Sequence, residues 1–257
     1  MRPAMLTITR YPLLLGLLTA LVLWLAAHFA AGPLRHVRPP QGDQRSDYDV
    51  VQTATLTLLA LIIGFSFSMA ISRYDTREQR EAQEANTIGT TYLRASLLPE
   101  GDAAAMRGAL RAYVHARIAY YSTRDPQRLA AIAAQTDSLQ ARIWGIVQRC
   151  AAAQPGPIVA LVIASTNDAI DSAGYAQAAR SNTIPLTAWA LMLAMAVGAN
   201  LLVGYTSRSR NAAPLLVLPI VVAVAIALVA DMDTPAGGTV RVAPLNLQQL
   251  ARTMDAR

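Results

Sequence analysis

Four long apolar runs, separated by stretches that hold nearly all the charge, constrain this chain more than anything else in its sequence. Residues 11–31 carry no formal charge and are bracketed by Arg10 and Arg35. Residues 50–71 lie between Asp49 and Arg73, and residues 184–205 between Arg180 and Arg208. The shortest run, 215–230, lies between Arg210 and Asp231. A hydrocarbon core about 30 Å thick is crossed by roughly 20 apolar residues in a helix. Each run is therefore expected to span a bilayer. The expected fold class is all-α: a four-span transmembrane helical bundle with a helical extramembrane insert between spans two and three.

The chain divides accordingly. Residues 1–73 hold spans at about 11–31 and 50–71, residues 74–183 form the insert, residues 184–231 hold spans at about 184–205 and 215–230, and 232–257 form a tail. The first run is read as a retained span, because a cleaved signal has an apolar core of only ~7–15 residues. His28 also occupies a place where a cleavage site wants a small residue. Tyr11, Tyr48, Tyr74 and Tyr205 stand at the run ends, where amphipathic rings settle at headgroup level. With the N-terminus inside, Arg2, Arg10, Arg73, Arg77, Arg80, Arg180 and Arg241 flank the spans on the inner side. Arg35, Arg38, Arg45, Arg208 and Arg210 then lie outside. That bias sets the expectation of a multi-pass protein of the cell (inner) membrane, with termini and insert cytoplasmic.

The insert reads as helices punctuated by breaks. Span two has no proline until Leu98-Pro99-Glu100-Gly101, so it is expected to continue as one helix on the order of 50 residues, about 75 Å. Its emergent part pairs Arg77 with Glu81 and Arg80 with Glu84 at i,i+4, the pattern of a solvated charged face. A second helix runs from about Asp102 to Ser122, with Met106, Leu110, Val114, Ile118 and Tyr121 on one side. A third follows Pro126. Its apolar positions Leu129, Ile132, Thr136, Leu139, Ile143, Ile146 and Cys150 alternate three and four apart, which fits either packing within a bundle or a subunit seam. A fourth runs from about Ile158 to Ala179.

Composition narrows the function classes. All 22 basic residues are arginine and the net charge is +6, yet arginines beside membrane spans set orientation and meet anionic headgroups, so no nucleic acid is expected. The single Cys150 excludes an internal disulfide, and His28, His36 and His115 form no ligand-spaced pair. No glycine-rich phosphate loop, His-Glu-x-x-His or nucleophile elbow is present. The chain is expected to hold no cofactor and to be no enzyme. The most polar group is Asn167, Asp168 and Asp171, whose oxygens suit a hard cation but fall short of the 6–8 ligands calcium takes. Salt bridges to Arg94, Arg111 or Arg180 are the plainer expectation. Asp231 and Asp233 close span four, where acids at a membrane boundary either act or end the span.

Several of these stretches resemble a known family. Leu61-Ile62-Ile63-Gly64-Phe65-Ser66-Phe67-Ser68-Met69-Ala70-Ile71-Ser72-Arg73-Tyr74-Asp75 resembles the second-span signature of the bacterial bestrophin-like membrane proteins, a family of unknown function. Glu84-Ala85-Asn86-Thr87-Ile88-Gly89-Thr90-Thr91-Tyr92-Leu93-Arg94 is similar to its Glu-Ala-Asn-x-Ile-Gly-Thr-x-Tyr-Leu-Arg run. Asn167-Asp168-x-x-Asp171 resembles the family's Asn-Glu-x-x-Asp. Asp231-Met232-Asp233-Thr234-Pro235 and Gly238-Thr239-Val240-Arg241-Val242 resemble Asp-x-Asp-Arg-Pro and Gly-x-Ile-Arg-Val, with Thr234 in place of the usual arginine. The resemblance covers residues 50–242 and implies four membrane helices with a helical insert. In true bestrophins the second span lines a pentameric pore.

Two functions follow as expectations. One is an oligomeric ion (anion) channel in the lipid bilayer, built from copies of this chain and conducting an inorganic ion. Gly64, Phe65, Ser66, Phe67 and Ser68 would sit at its constriction, where phenylalanine rings gate by dewetting. Arg73, Arg77 and Arg80 would form basic rings below. Glu84, Asn86, Arg94, Asn167, Asp168, Asp171, Asp231 and Asp233 form the accompanying candidate polar cluster. The other is a non-conducting scaffold or sensor whose insert binds a partner through the seam 129–150.

Overall fold

Helix is the only regular structure among the described residues of the computed structural model, which are 11–37, 44–207, 213–235 and 237–256. The flanking residues Arg2, Arg10, Arg38, Arg208 and Arg210 lie outside them. Helix α1 (Pro12–Phe29) passes through a π-turn at Ala30–Leu34, around Pro33, into the short turn Arg35–Val37. A proline inside a helix removes a backbone donor and clashes with the preceding turn, which is what a π-turn absorbs. Helix α2 (Gln44–Arg94) is continuous for 51 residues. Then come α3 (Glu100–Ser122), α4 (Pro126–Ala153), α5 (Pro157–Ser181), α6 (Leu186–Thr206), α7 (Ala213–Asp233) and α8 (Leu245–Asp255). Among the described residues, four stretches are long and apolar enough to cross a membrane: Pro12–Val37, Ser46–Leu97, Pro157–Thr206 and Leu215–Asp233.

Two compact units contain these helices. The first comprises 1–73 and 183–240, the second 74–182 and 241–257. The first is the membrane unit. Its outward surface is apolar, with Leu13, Leu17, Leu21 and Val221 exposed, the reverse of a water-soluble surface. Its interior is closed by small residues. A Cβ on Gly204 of α6 would collide with the backbone of Ala27, and one on Gly16 of α1 with the methyl of Ala227 on α7. Such close approach is how membrane helices gain contact without a hydrophobic drive between them. Met192, Ala196, Ala199, Ile226 and Val229 fill the remainder. At one end Tyr48 meets Tyr205 edge to face at 5.2 Å, so two of the expected interfacial rings share one level.

The insert unit has a different interior. Ile88 and Tyr92 of α2 pack with Met106, Leu110 and Tyr113 of α3, Ile143 and Val147 of α4, and Val162 of α5. The later part of the expected three-and-four seam of α4 lies within this core: Thr136, Ile143, Ile146 and Cys150 are buried, whereas Leu129 and Ile132 are half-buried. Two helix starts differ from expectation. Helix α3 begins at Glu100, so Gly101 falls in its first turn and not at a stop. Helix α4 is capped by Asp125, whose carboxylate accepts from the Gln127 N–H at 2.9 Å.

The largest correction concerns the end of the chain. The expected tail at 232–257 contains α8, which belongs to the insert unit and buries Leu247, Ala251 and Met254 there. An isolated helix of 11 residues is marginal in water. Two charged side chains of the insert hold its ends. Glu81 accepts from the Leu247 N–H at 3.0 Å and from Asn246 Nδ2 at 2.6 Å. Arg111 Nε donates to the Met254 carbonyl at 3.0 Å. A carboxylate at the N-terminus and a guanidinium at the C-terminus both complement the helix dipole. The insert follows span two and α8 follows span four, so the chain between them crosses the bilayer an even number of times. Replacing Glu81 with alanine leaves the Leu247 N–H and the Asn246 amide without their acceptor and is expected to lower the stability of the insert by about 1–3 kcal/mol. Hydrogen exchange at 245–255 in the purified protein should accelerate; unchanged protection there would show that Glu81 does not hold α8.

Candidate functional site

The expected solvated face of α2 proves to be an interior. Arg77, Glu81 and Glu84 are all buried, at spacings of four and three that continue the line of Ser66 and Ala70. Glu84 is 0 % exposed. Its carboxylate accepts from Arg117 Nε, from Arg117 Nη2 at 3.3 Å, and from the Tyr121 hydroxyl at 3.0 Å. Both partners come from α3. The Arg117 guanidinium lies 4.3 Å from the Tyr120 ring centroid, and Arg180 of α5 approaches the same ring at 4.7 Å. Arg180 also donates to the Tyr120 carbonyl at 2.9 Å. Farther along α2, Thr87 Oγ1 donates to Ser172 Oγ at 3.1 Å and Thr91 Oγ1 to the Ser165 carbonyl at 2.8 Å, joining α2 to α5.

The electrostatics of this knot follow from burial. Desolvation alone would lower the Arg117 pKa, but the Glu84 carboxylate outweighs it and leaves the guanidinium above its usual value. Burial, then Glu84, raises the Tyr121 phenol far above its usual range. Burial likewise pushes Tyr113 up to about 12, against a hydrogen bond from Gln140 Nε2 at 3.0 Å. Glu84 thus has its oxygens occupied by an arginine and a phenol, which makes it a structural anchor and not a free base.

The other members of the candidate cluster are not brought together. Asn86 is exposed, and Arg94 donates to the Leu161 carbonyl at 3.2 Å. Asn167 Nδ2 donates to Asp171 at 3.1 Å, and both are exposed with Asp168. Their expected bridges to Arg94, Arg111 and Arg180 are replaced by those arginines' contacts with backbone carbonyls. Among the described residues no group of three acids, histidines or cysteines is arranged to hold a metal. In the membrane unit Asp231 accepts from the Thr239 N–H and hydroxyl, both at 2.6 Å, and from the Val240 N–H at 3.1 Å. A Cβ on Gly238 would strike Asp231, so that return turn requires glycine. Asp233 accepts from the Ile184 N–H at 3.0 Å and from Arg73 at 3.3 Å. Both aspartates therefore tie chain segments at the end of α7.

The candidates on span two separate by face. Phe65 is 63 % exposed, with Gly64 and Ser68 exposed beside it, whereas Ser66 is 2 % exposed and faces the unit's interior. Phe67 lines an apolar groove of about 590 Å³ with Leu56, Ile63, Leu218 and Val221, and Gly64 stands at its edge between the two faces. Arg73 turns inward to Asp233 and Arg77 is buried, so neither lies on the exposed face, and Arg80 stacks 5.3 Å from the Tyr175 ring. Within the insert a cleft of about 580 Å³ opens between α4 and α5, with Arg117 and Tyr120 against Asp137, Gln140, Asp171 and Tyr175. Sequence reading missed Arg117. Its signal was an arginine in the middle of the apolar line Leu110, Val114 and Tyr121, a place that only a buried counter-charge makes tenable.

A family model described as a Bestrophin-like domain matches residues 14–247. The chain belongs to the bestrophin-like family. The match includes residues of both compact units and ends at Leu247, the residue whose N–H meets Glu81. No curated protein and no solved structure matches the chain.

Two predictions follow from the Glu84 knot. Glu84→Ala strands a buried guanidinium and is expected to cost about 3–5 kcal/mol, while Glu84→Leu combined with Arg117→Met should recover most of it. Chemical denaturation of the detergent-solubilised protein measures both, and additive losses in the double variant would refute the pairing. Tyr113 and Tyr121 have folded-state values above those of the unfolded chain, so the unfolded chain loses their protons first as pH rises. Their contribution is complete below the ordinary tyrosine value of about 10 and falls away above it. The melting temperature should drop between about pH 10 and 12, less steeply after Tyr113→Phe with Tyr121→Phe.

Proposed function

We propose that this bestrophin-like protein is an oligomeric ion channel in which the outward face of α2 lines the pore. One contrast supports this reading. The outward face of α1 presents Leu13, Leu17 and Leu21, large side chains suited to lipid. The exposed surface of α2 also carries large side chains such as Val50, Leu58 and Leu61, but one stripe of it presents Thr53, Thr57, Ala60, Gly64 and Ser68, all exposed and recurring three or four apart. Small and hydroxyl-bearing residues on a membrane helix suit another helix or water better than hydrocarbon. Thr53 and Thr57 donate to their own helix, at 2.9 Å to the carbonyls of Asp49 and Thr53, which leaves their oxygens free to accept. Phe65 stands beside this face and supplies the ring that gates by dewetting.

The inward turn of Arg73 and Arg77 removes the basis for basic rings at those positions, so the charge of the ion is set by other groups. The termini and insert lie on the cytoplasmic side of the cell membrane in this reading. A scaffold acting through residues 129–150 is less favoured, because the later part of that seam is used inside the insert's own core.

Reconstitution into liposomes under a salt gradient, with voltage and calcium varied, tests the proposal. The wild type should conduct, Phe65→Ala should raise the conductance severalfold, and Gly64→Leu should abolish it with the fold intact. A wild type that passes neither cations nor anions would overturn the channel reading.

A further inference from the structure

The insert bundle carries two outward faces of opposite charge. Its helices neighbour one another in the order α2, α3, α4, α5. Helix α3 packs on α4 and α4 on α5, while α2 meets α3 through Glu84 and Arg117 and α5 through Thr91 and Ser165. In a four-helix arrangement of this kind α3 and α5 stand at diagonal corners. On α4, Arg128, Arg142 and Arg149 are separated by multiples of seven residues, which places them near one line along the helix. All three are exposed. Arg142 and Arg149 make no ion pair among the described residues, and Arg128 approaches only Asp125 of its own first turn, at 3.9 Å. The neighbouring outward face of α3 is flat, with Ala104, Gly108 and Ala112 exposed. At the opposite corner α5 exposes Asp168 and Asp171 beside Ala164 and Ala178. Asp168 makes no ion pair among the described residues, and Asp171 accepts only from neutral Asn167.

We infer that copies of this chain meet head to tail through these faces, the arginine line and flat α3 face of one receiving the acidic α5 face of the next. The inference rests on the oligomeric reading above and names its surfaces. An anionic lipid surface or a nucleic acid would engage the arginine line alone and leave the α5 carboxylates unmatched. A second copy satisfies both faces at once. Because the two halves of the contact lie on different sides of one protomer, the interface is heterologous, and repetition closes a ring if the rotation allows. Exposed pairs add little energy one by one but set register and exclude wrong partners.

The full-length protein in detergent, sized by light scattering or native mass spectrometry, provides the test. The wild type should be an oligomer of the 27.5 kDa protomer. Arg142→Glu with Arg149→Glu should shift the particle to protomer mass, and Asp168→Arg with Asp171→Arg should do the same. All four substitutions in one chain restore complementarity and should restore the oligomer. This last variant separates loss of the interface from loss of folding. An oligomer indifferent to both reversals, or one that the fourfold variant fails to rebuild, would overturn this interface and leave the channel reading standing. A monomeric wild type would remove both.

Discussion

A peptide group inside a bilayer finds no water to bond, and each backbone N–H or C=O left unpaired there costs several kcal/mol. Among the described residues, the four stretches apolar enough to cross a membrane meet that demand with helices. The demand reaches beyond the hydrocarbon to the places where helices begin and end. Ile184 leads into α6, and its N–H is taken by the Asp233 carboxylate at the end of α7. The Ser207 carbonyl, just past α6, accepts from Arg35. Charged residues at the span ends thus bond the backbone of neighbouring segments.

The two units solve the packing problem in opposite ways. In the membrane unit the solvent is as apolar as the core, so burying leucine gains little and close backbone approach decides which helices touch. Gly16 and Gly204 are the points of approach. In the insert unit large apolar side chains do the usual work of a water-soluble core, and a buried arginine–glutamate pair fixes how α3 lies on α2. Such a pair contributes little net stability beside an apolar equivalent, but breaking it is costly. It therefore favours one register of the two helices.

Much of this was legible in the sequence. The four spans, the uninterrupted helix through residues 44–94 and the breaks near Pro99, Pro126 and Pro157 were all written in apolar run length and proline placement. What periodicity alone could not give was the environment of a charged residue. Arg77, Glu81, Arg80 and Glu84 have the spacing of an exposed salt-bridged face, yet Glu81 and Glu84 turn to partners far along the chain. No local rule announces a partner 33 residues away, as for Glu84, or 166 away, as for Glu81. Helix α8 was missed for the same reason. Its 11 residues look like a polar tail, and their stability comes from Glu81, Arg111 and the burial of Leu247, Ala251 and Met254 against distant helices. The polar cluster failed as a site because its members belong to separate tasks: an anchor at Glu84, a surface at Asp168 and Asp171, and two backbone ties at Asp231 and Asp233.

The bond between Glu81 and α8 also has a consequence in time. The carboxylate and its donor N–H are 166 residues apart, so both later spans are synthesised between them. A ribosome that has just finished the insert has made a domain with a carboxylate still lacking its partner. The domain becomes complete only when α6 and α7 have been threaded and the last residues emerge on the same side of the bilayer. A chain cut short or inserted with one span out of place leaves that pocket empty, and correct threading is thereby coupled to the folding of the soluble part.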